Sequence, residues 1–192
     1  FDRVHWIYGY AKYLAELEVQ LAVLLVLDAV ILNPASVFGP GDILRRKTSV
    51  IHMVAERGLR LSAPGGMNVV HIQDVVSGHL AGLEYGKKGA RYILGGENLT
   101  HLAFFRLIRE IAGLGSCGLI ALPEVVVRTL GQLTSLTSRL LPVKINTGIL
   151  SLAGIHFYYD IEKSLRDLHL GIPISARQTV ADTTRWFMEQ PL

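Results

Sequence analysis

From Tyr8 to about Leu24 the chain runs without a breaker. Its apolar residues Leu14, Leu17, Leu21, Leu24 and Leu25 recur at helical spacing as one stripe. Helix formers (Ala11, Leu14, Ala15, Glu16, Leu17, Glu18) fill the same stretch, so a helix is predicted over 8–24 with the stripe as its packing face. Leu27 to Leu32 follows at once, short and mostly apolar, without clean alternation. Such a strand is buried on both faces, as in a parallel sheet, and a helix leading straight into it is half of an α/β unit.

Asn33 to Asp42 carries Pro34, Gly39, Pro40 and Gly41 and reads as a structured loop at the carboxyl end of that strand, where open α/β sheets bind ligands. A helix is expected over about Thr48–Arg57, stopped by Gly58; Gly65-Gly66 is a turn and Asn68–Ile72 a short strand. Asp74 is expected to cap a helix from Val75 to about Glu84. Arg91–Leu94 is a strand left through Gly95-Gly96, and Thr100 caps a helix to about Ala112. Gly118–Leu122 reads as a strand, Pro123 opens a long helix to about Leu141, and Lys144–Ala153 reads as helical. His156–Tyr159 is extended, Asp160 caps a helix ending near Leu170-Gly171, and an amphipathic helix over Ala176–Glu189 closes the chain. No repeat or low-complexity segment interrupts this order.

Composition sets outer limits. The 192 residues are half hydrophobic and 18% charged, which marks a folded globular chain large enough for one good core or two small lobes. A net charge of +3 with scattered basic residues gives no case for nucleic acid, and the one tight cluster, Arg45-Arg46-Lys47, reads as a solvated loop. Cys117 is the single cysteine; it excludes an internal disulfide, fits a reducing compartment such as the cytoplasm, and reads as a small buried hydrophobe. The apolar run Leu21–Leu32 contains Asp28 and is too short to span a bilayer. The chain opens on Phe1, already next to a helix, and reads as the later part of a longer protein. His71 and His79 have no third ligand at metal spacing and are read as core or boundary histidines, so no metal is expected.

The chemistry concentrates in Tyr8-Gly9-Tyr10-Ala11-Lys12. On a helix, Tyr8 and Lys12 share one face, one turn apart. An ammonium one turn from a phenol favours the phenolate, and such a pair can pass a proton to or from a carbonyl or alcohol oxygen. A second match, Tyr159 to Lys163, has Asp160 as an intervening N-cap, which leaves Tyr159 outside the helix and off the shared face.

Five segments in order resemble the extended short-chain dehydrogenases of the NAD-dependent epimerase/dehydratase type. Tyr8–Lys12 with Ala15-Glu16 is similar to the catalytic helix, and Leu32–Asp42 to the loop beside the nicotinamide. Val69–His79 is similar to the strand-Asp-helix segment. Arg91–Thr100 resembles the branch of dihydroflavonol-reductase-like and hopanoid-associated sugar epimerases, and Tyr158-Tyr159-Asp160, Lys163 and Trp186-Phe187 fit the family ending. The resemblance implies an α/β fold: the later part of a Rossmann-type doubly wound parallel sheet with a small, mostly helical substrate lobe. Residues 1–46, with 68–95 packing back, would be the remainder of the nucleotide-binding domain, and 47–192 a discontinuous substrate lobe.

It implies Tyr8 as general acid/base, Lys12 as the residue on the nicotinamide ribose, and Pro34, Ala35, Ser36 and Val37 as the lining of the nicotinamide pocket. NAD or NADP would be the cofactor, and a nucleotide-sugar or similar small molecule the substrate. A homodimer is a further expectation. The family's serine or threonine on the strand before the catalytic helix would precede Phe1. Its glycine-rich phosphate loop is expected to be missing too, since Gly95-Gly96 follows a strand but lacks the later glycine. Val26 stands where family members carry a glycine, so the helix end is built another way or the turn is strained. Two other functions stay open: reduction of a flavonoid- or steroid-type ketone on the same scaffold, and a truncated, non-catalytic binding module.

Overall fold

The computed structural model describes residues 6–43, 49–115, 118–127, 129 and 154–189. Helix α1 runs Ile7–Leu25, as the unbroken helix formers require. It ends on Val26 at φ −152° and ψ −22°, with the amides of Val26 and Leu27 both donating to the Ala22 carbonyl. The helix therefore closes without a left-handed residue, which is the first of the two expected endings.

Two corrections follow at once. Leu27–Val30 is coil, and strand β1 spans Ile31–Pro34, so it starts later than the apolar run suggests. The predicted loop is half strand: β2 spans Ser36–Phe38, separated from β1 by Ala35 alone. The extended segment 31–38 changes sheets at Ala35. Its first half pairs in parallel with β5 (Arg91–Leu94), Ile31 opposite Arg91 and Pro34 opposite Leu94. Its second half pairs in parallel with β4 (Gly66–His71), Phe38 opposite His71.

Strand β4 is the hub. It also carries β6 (Glu97–Thr100) antiparallel and β8 (His156–Phe157) parallel. Successive side chains on a strand face opposite ways, and β4 uses this to build two cores. Val69 faces a cluster with Ile51, Val54, Phe104, Ile108, Val180 and Phe187. Val70 faces a second cluster with Val75, Tyr92, Leu94 and Leu168. The first is supplied by helices α2 (Val50–Ala55), α4 (His101–Ile111) and α6 (Ala176–Glu189). The second is covered by α3 (Ile72–Tyr85) and the end of α5 (Glu162–Asp167). A two-residue parallel pair, β3 (Leu61–Ser62) with β7 (Ile120–Ala121), lies apart.

Buried Asn68 locks β4 to the turn before β6. Its Nδ2 donates to the Gly96 carbonyl at 3.1 Å, and its Oδ1 accepts from the Gly96 amide at 2.8 Å. The cap of α3 differs from expectation. His71 is the N-cap, its Nδ1 accepting from the Gln73 amide, while Asp74 in the first turn accepts from the Ile174 amide 100 residues away. Thr100 caps α4 through the Ala103 amide, as predicted. Asp160 accepts from the Glu162 amide and so holds the first turn of α5. The leucine stripe of α1 departs furthest from expectation: Leu14, Leu17, Leu21, Leu24 and Leu25 are all exposed, and no residue of this helix is buried. The predicted helix beyond residue 129, the segment 144–153, Cys117 and Arg45–Lys47 lie outside the described residues.

His101, first residue of α4, places Nδ1 3.2 Å from the Pro64 carbonyl. Burial holds its pKa below the ordinary 6.5, against the raising pull of the Pro64 and Ala63 carbonyls. Below that pH the unfolded chain binds a proton that the folded chain resists, so stability falls as pH drops through the unfolded value. Urea midpoints should therefore fall between about pH 7.5 and about pH 5.5, and less so in His101→Gln. Equal losses in the two proteins would show that His101 carries none of the acid sensitivity.

Candidate active site

Helix α1 delivers Tyr8 and Lys12 to one face, with Lys12 Nζ 5.9 Å from the centre of the Tyr8 ring. Both line an open cleft of about 640 Å³ that also touches Trp6, Asn33, Pro34 and Arg91. Tyr8 is 62% exposed, so its hydroxyl is accessible to a molecule entering the cleft. One turn beyond Lys12, Glu16 fastens the helix to the sheet. Its carboxylate accepts from Arg91 Nη1 at 2.7 Å and from Asn33 Nδ2 at 3.4 Å, which ties α1 to β5 and β1. No residue of α1 is fully buried, and this polar clasp joins the half-buried Val19, Ala22 and Val23 in holding the helix on the sheet.

The other residues expected in the pocket go elsewhere. Ala35, Ser36 and Val37 line a second opening of about 650 Å³, with Gly41, Asp42, Ser49 and Thr183. The division follows from the change of sheet at Ala35, whose amide still donates to the Leu94 carbonyl while the chain beyond it turns to β4. Tyr8, Lys12 and Pro34 thus share one cleft, and Ala35–Val37 line a neighbouring one that begins at the next residue of the chain. Thr183 and Ser49 went unpredicted. They come from α6 and the start of α2, and nothing local in the sequence signals that helices so distant in the chain border the same opening. Trp6 also went unpredicted, although an aromatic residue two before Tyr8 was a signal available in the sequence.

The rival pair separates as expected. Tyr159 lies before α5, its phenol pushed up by burial, which opposes a phenolate. Lys163 instead donates to the Arg91 carbonyl at 2.9 Å and sits 4.8 Å over the Tyr92 ring. His71 is 1% exposed and spends Nδ1 on the α3 cap; His79 Nδ1 lies 2.7 Å from the Val75 carbonyl. Both serve the fold. No group of three metal-ligating side chains occurs among the described residues.

The glycine fingerprint needs a correction. Gly113-Leu114-Gly115-Ser116-Cys117-Gly118 has the literal spacing G-x-G-x-x-G. It leaves helix α4 and leads toward β7, the reverse of the strand-to-helix order that aims backbone amides at a phosphate. Gly113, Gly115 and Gly118 all take left-handed φ, and Arg109 donates to the Leu114 and Gly115 carbonyls. Gly113 and Gly115 follow the end of α4.

The chain resembles known proteins over most of its length. Residues 2–95 match the NAD dependent epimerase/dehydratase family. The chain is 31% identical to a putative dihydroflavonol 4-reductase of Synechocystis, covering 94% of this chain and 54% of that protein. It is 30% identical to sterol demethylase protein B of Methylococcus capsulatus, covering 95% of this chain and 57% of that protein. A solved nucleoside-diphosphate-sugar epimerase from Pseudomonas aeruginosa superposes with a TM-score of 0.78 at 25% identity, over 95% of this chain and 55% of that one. The chain therefore spans about half the length of the curated relatives it matches. Among the described residues no helix is long and apolar enough to cross a membrane.

Proposed function

We propose that this chain, which belongs to the NAD dependent epimerase/dehydratase family, carries the proton-transfer half of an NAD(P)-dependent oxidoreductase acting at an alcohol or carbonyl carbon. One observation carries the reading: Tyr8 and Lys12 open from one face of α1 onto a cleft that also reaches Pro34.

The residues suit one end of the cofactor. The Lys12 ammonium and Tyr8 hydroxyl, beside the Asn33 amide, are a donor set for ribose hydroxyls and a substrate oxygen. Pro34 lines the cleft beside them, and Ala35, Ser36 and Val37 continue the wall of the nicotinamide pocket into the neighbouring opening. For the pyrophosphate the described residues offer no glycine-rich turn at a helix N-terminus. Bound nicotinamide supplies or accepts the hydride. Tyr8 gives its proton to the substrate oxygen when a carbonyl is reduced and takes it back when an alcohol is oxidised. The positive charge of Lys12, one turn away, offsets the negative charge on the tyrosine oxygen during that exchange. Glu16, held by Arg91 and Asn33, keeps the helix face turned toward Pro34.

Two outcomes share this chemistry. In an epimerase or dehydratase acting on a nucleotide-sugar, hydride leaves the substrate and returns to it; in a ketone reductase it stays. The relative named a reductase has the higher identity, 31% against 25% for the sugar epimerase, and supports the second outcome. Deuterium at the transferable nicotinamide position decides between them. Net transfer of label with oxidation of the cofactor marks a reductase, and a cofactor returned unchanged after turnover an epimerase. Turnover without label ever leaving the nicotinamide, and without a reduced intermediate, would remove hydride transfer from the reading. The same reading places the protein in the cytoplasm as a homodimer, with the exposed leucines of α1 in the subunit contact.

A further inference from the structure

Toward their carboxyl ends, helices α2, α4 and α6 border a pocket of about 90 Å³. It shares no lining residue with the cleft of Tyr8 or the opening of Ala35–Val37. Buried Ile51 and Phe187 give it apolar walls, which His52, Glu56 and Thr184 interrupt. Thr184 is 5% exposed, and its Oγ1 makes no hydrogen bond among the described residues. A helical threonine can bond the carbonyl one turn back. Thr179 and Thr183 on the same helix do so, at 2.9 Å and 2.6 Å; Thr184 leaves the Val180 carbonyl alone. His52 is 6% exposed. Its Nδ1 stands 3.2 Å from Glu56 Oε2, close enough for a hydrogen bond but not aligned for one.

Burying a polar group without a partner is costly, and here two such groups line one small space. Apolar walls with a few convergent polar groups are the usual make-up of a ligand site. The polar groups also select the ligand's head. A carboxylate, a hydroxyl and an unprotonated imidazole nitrogen all accept hydrogen bonds, and an ammonium offers three donors and no acceptor. Among the lining residues Glu56 alone carries a fixed charge, and its carboxylate is 43% exposed. It repels an anion and forms a strong charge-assisted bond with an ammonium. A neutral hydroxyl has one proton to give. A water molecule takes about 30 Å³, so the pocket admits a ligand of roughly three to five heavy atoms.

We propose that this pocket is a second binding site, specific for a small primary amine with a short apolar tail. The ammonium donates to Glu56, Thr184 Oγ1 and His52 Nδ1, and the tail lies against Ile51 and Phe187. The site stands independently of the proton chemistry assigned to Tyr8.

The test titrates propylammonium into the purified protein, with propanol and propionate as neutral and anionic comparators, and follows backbone amide shifts by NMR. Propylammonium should give saturable shifts at His52 and Thr184 in the millimolar range, the scale open to a ligand of about four heavy atoms. Propanol should bind about tenfold more weakly, and propionate should give no saturable shift. Glu56→Gln keeps the shape of a half-exposed side chain and should weaken propylammonium about tenfold. Thr184→Val should weaken it by a similar factor, the scale of one hydrogen bond to a charged group. The same variant should raise the urea midpoint, because a methyl group replaces a buried hydroxyl that has no partner. A threonine that served only the fold would lower it. Absence of saturable shifts at His52 and Thr184, propanol binding as tightly as propylammonium, equal affinity in wild type and Glu56→Gln, or a lower urea midpoint in Thr184→Val would overturn the proposal.

Discussion

Tyr8→Phe, made in a protein of the relatives' full length that carries this chain, should lower kcat by about 10²–10⁴-fold, the range expected for a positioned proton donor. Cofactor affinity should stay close to wild type. The substitution removes one oxygen from a side chain that is 62% exposed and leaves Lys12, Asn33 and Pro34 in place. A loss of kcat and kcat/KM by the same factor would mark an interaction made only in the transition state. The Glu16 clasp makes the experiment clean, since α1 is fixed to the sheet through Arg91 and Asn33 and not through the tyrosine. Turnover within about threefold of wild type, with cofactor binding intact, would show that another group moves the proton.

The reach of the sequence is uneven, and the reason is range. Much of what is decided within one or two turns was legible. Helix α1, the Thr100 cap, the strand at Arg91–Leu94 and the closing helix over Ala176–Glu189 all occur where propensity, caps and periodicity put them. Most of what failed depends on partners remote in the chain. Strand β6, Glu97-Asn98-Leu99-Thr100, is mostly polar and unpredicted; it is a strand because β4 offers it an antiparallel edge and Asn68 clasps the turn before it. Asp74 looked like a cap, yet its carboxylate is taken by an amide 100 residues away, and His71 caps in its place. The leucines of α1 show the same limit: periodicity identifies an apolar face but not what covers it, and among the described residues of this chain nothing buries it. The site divides likewise. The Tyr8–Lys12 pair is local and was legible as a shared face. The separation of Pro34 from Ala35–Val37 was not, because it arises where one extended segment exchanges β5 for β4.

Phe104→Ala should cost about 3–5 kcal/mol, a large share of the 5–15 kcal/mol typical of a whole domain. Phe104 is fully buried on α4, in the cluster where α2, α4 and α6 meet the Val69 face of β4. Its ring lies 5.0 Å from Phe38, the last residue of β2, so truncation removes both the buried area and the aromatic pair. The cavity cannot close easily, since its walls come from three helices and a strand that are each held by other contacts. The effect should extend to function, because Phe38 also borders the opening lined by Ala35, Ser36 and Val37. Urea denaturation would show the loss as a lower midpoint at an unchanged slope. A cost below about 1 kcal/mol would mean that the cluster repacks around the void, and that the α4 helix does not support β2 in the way its buried ring indicates.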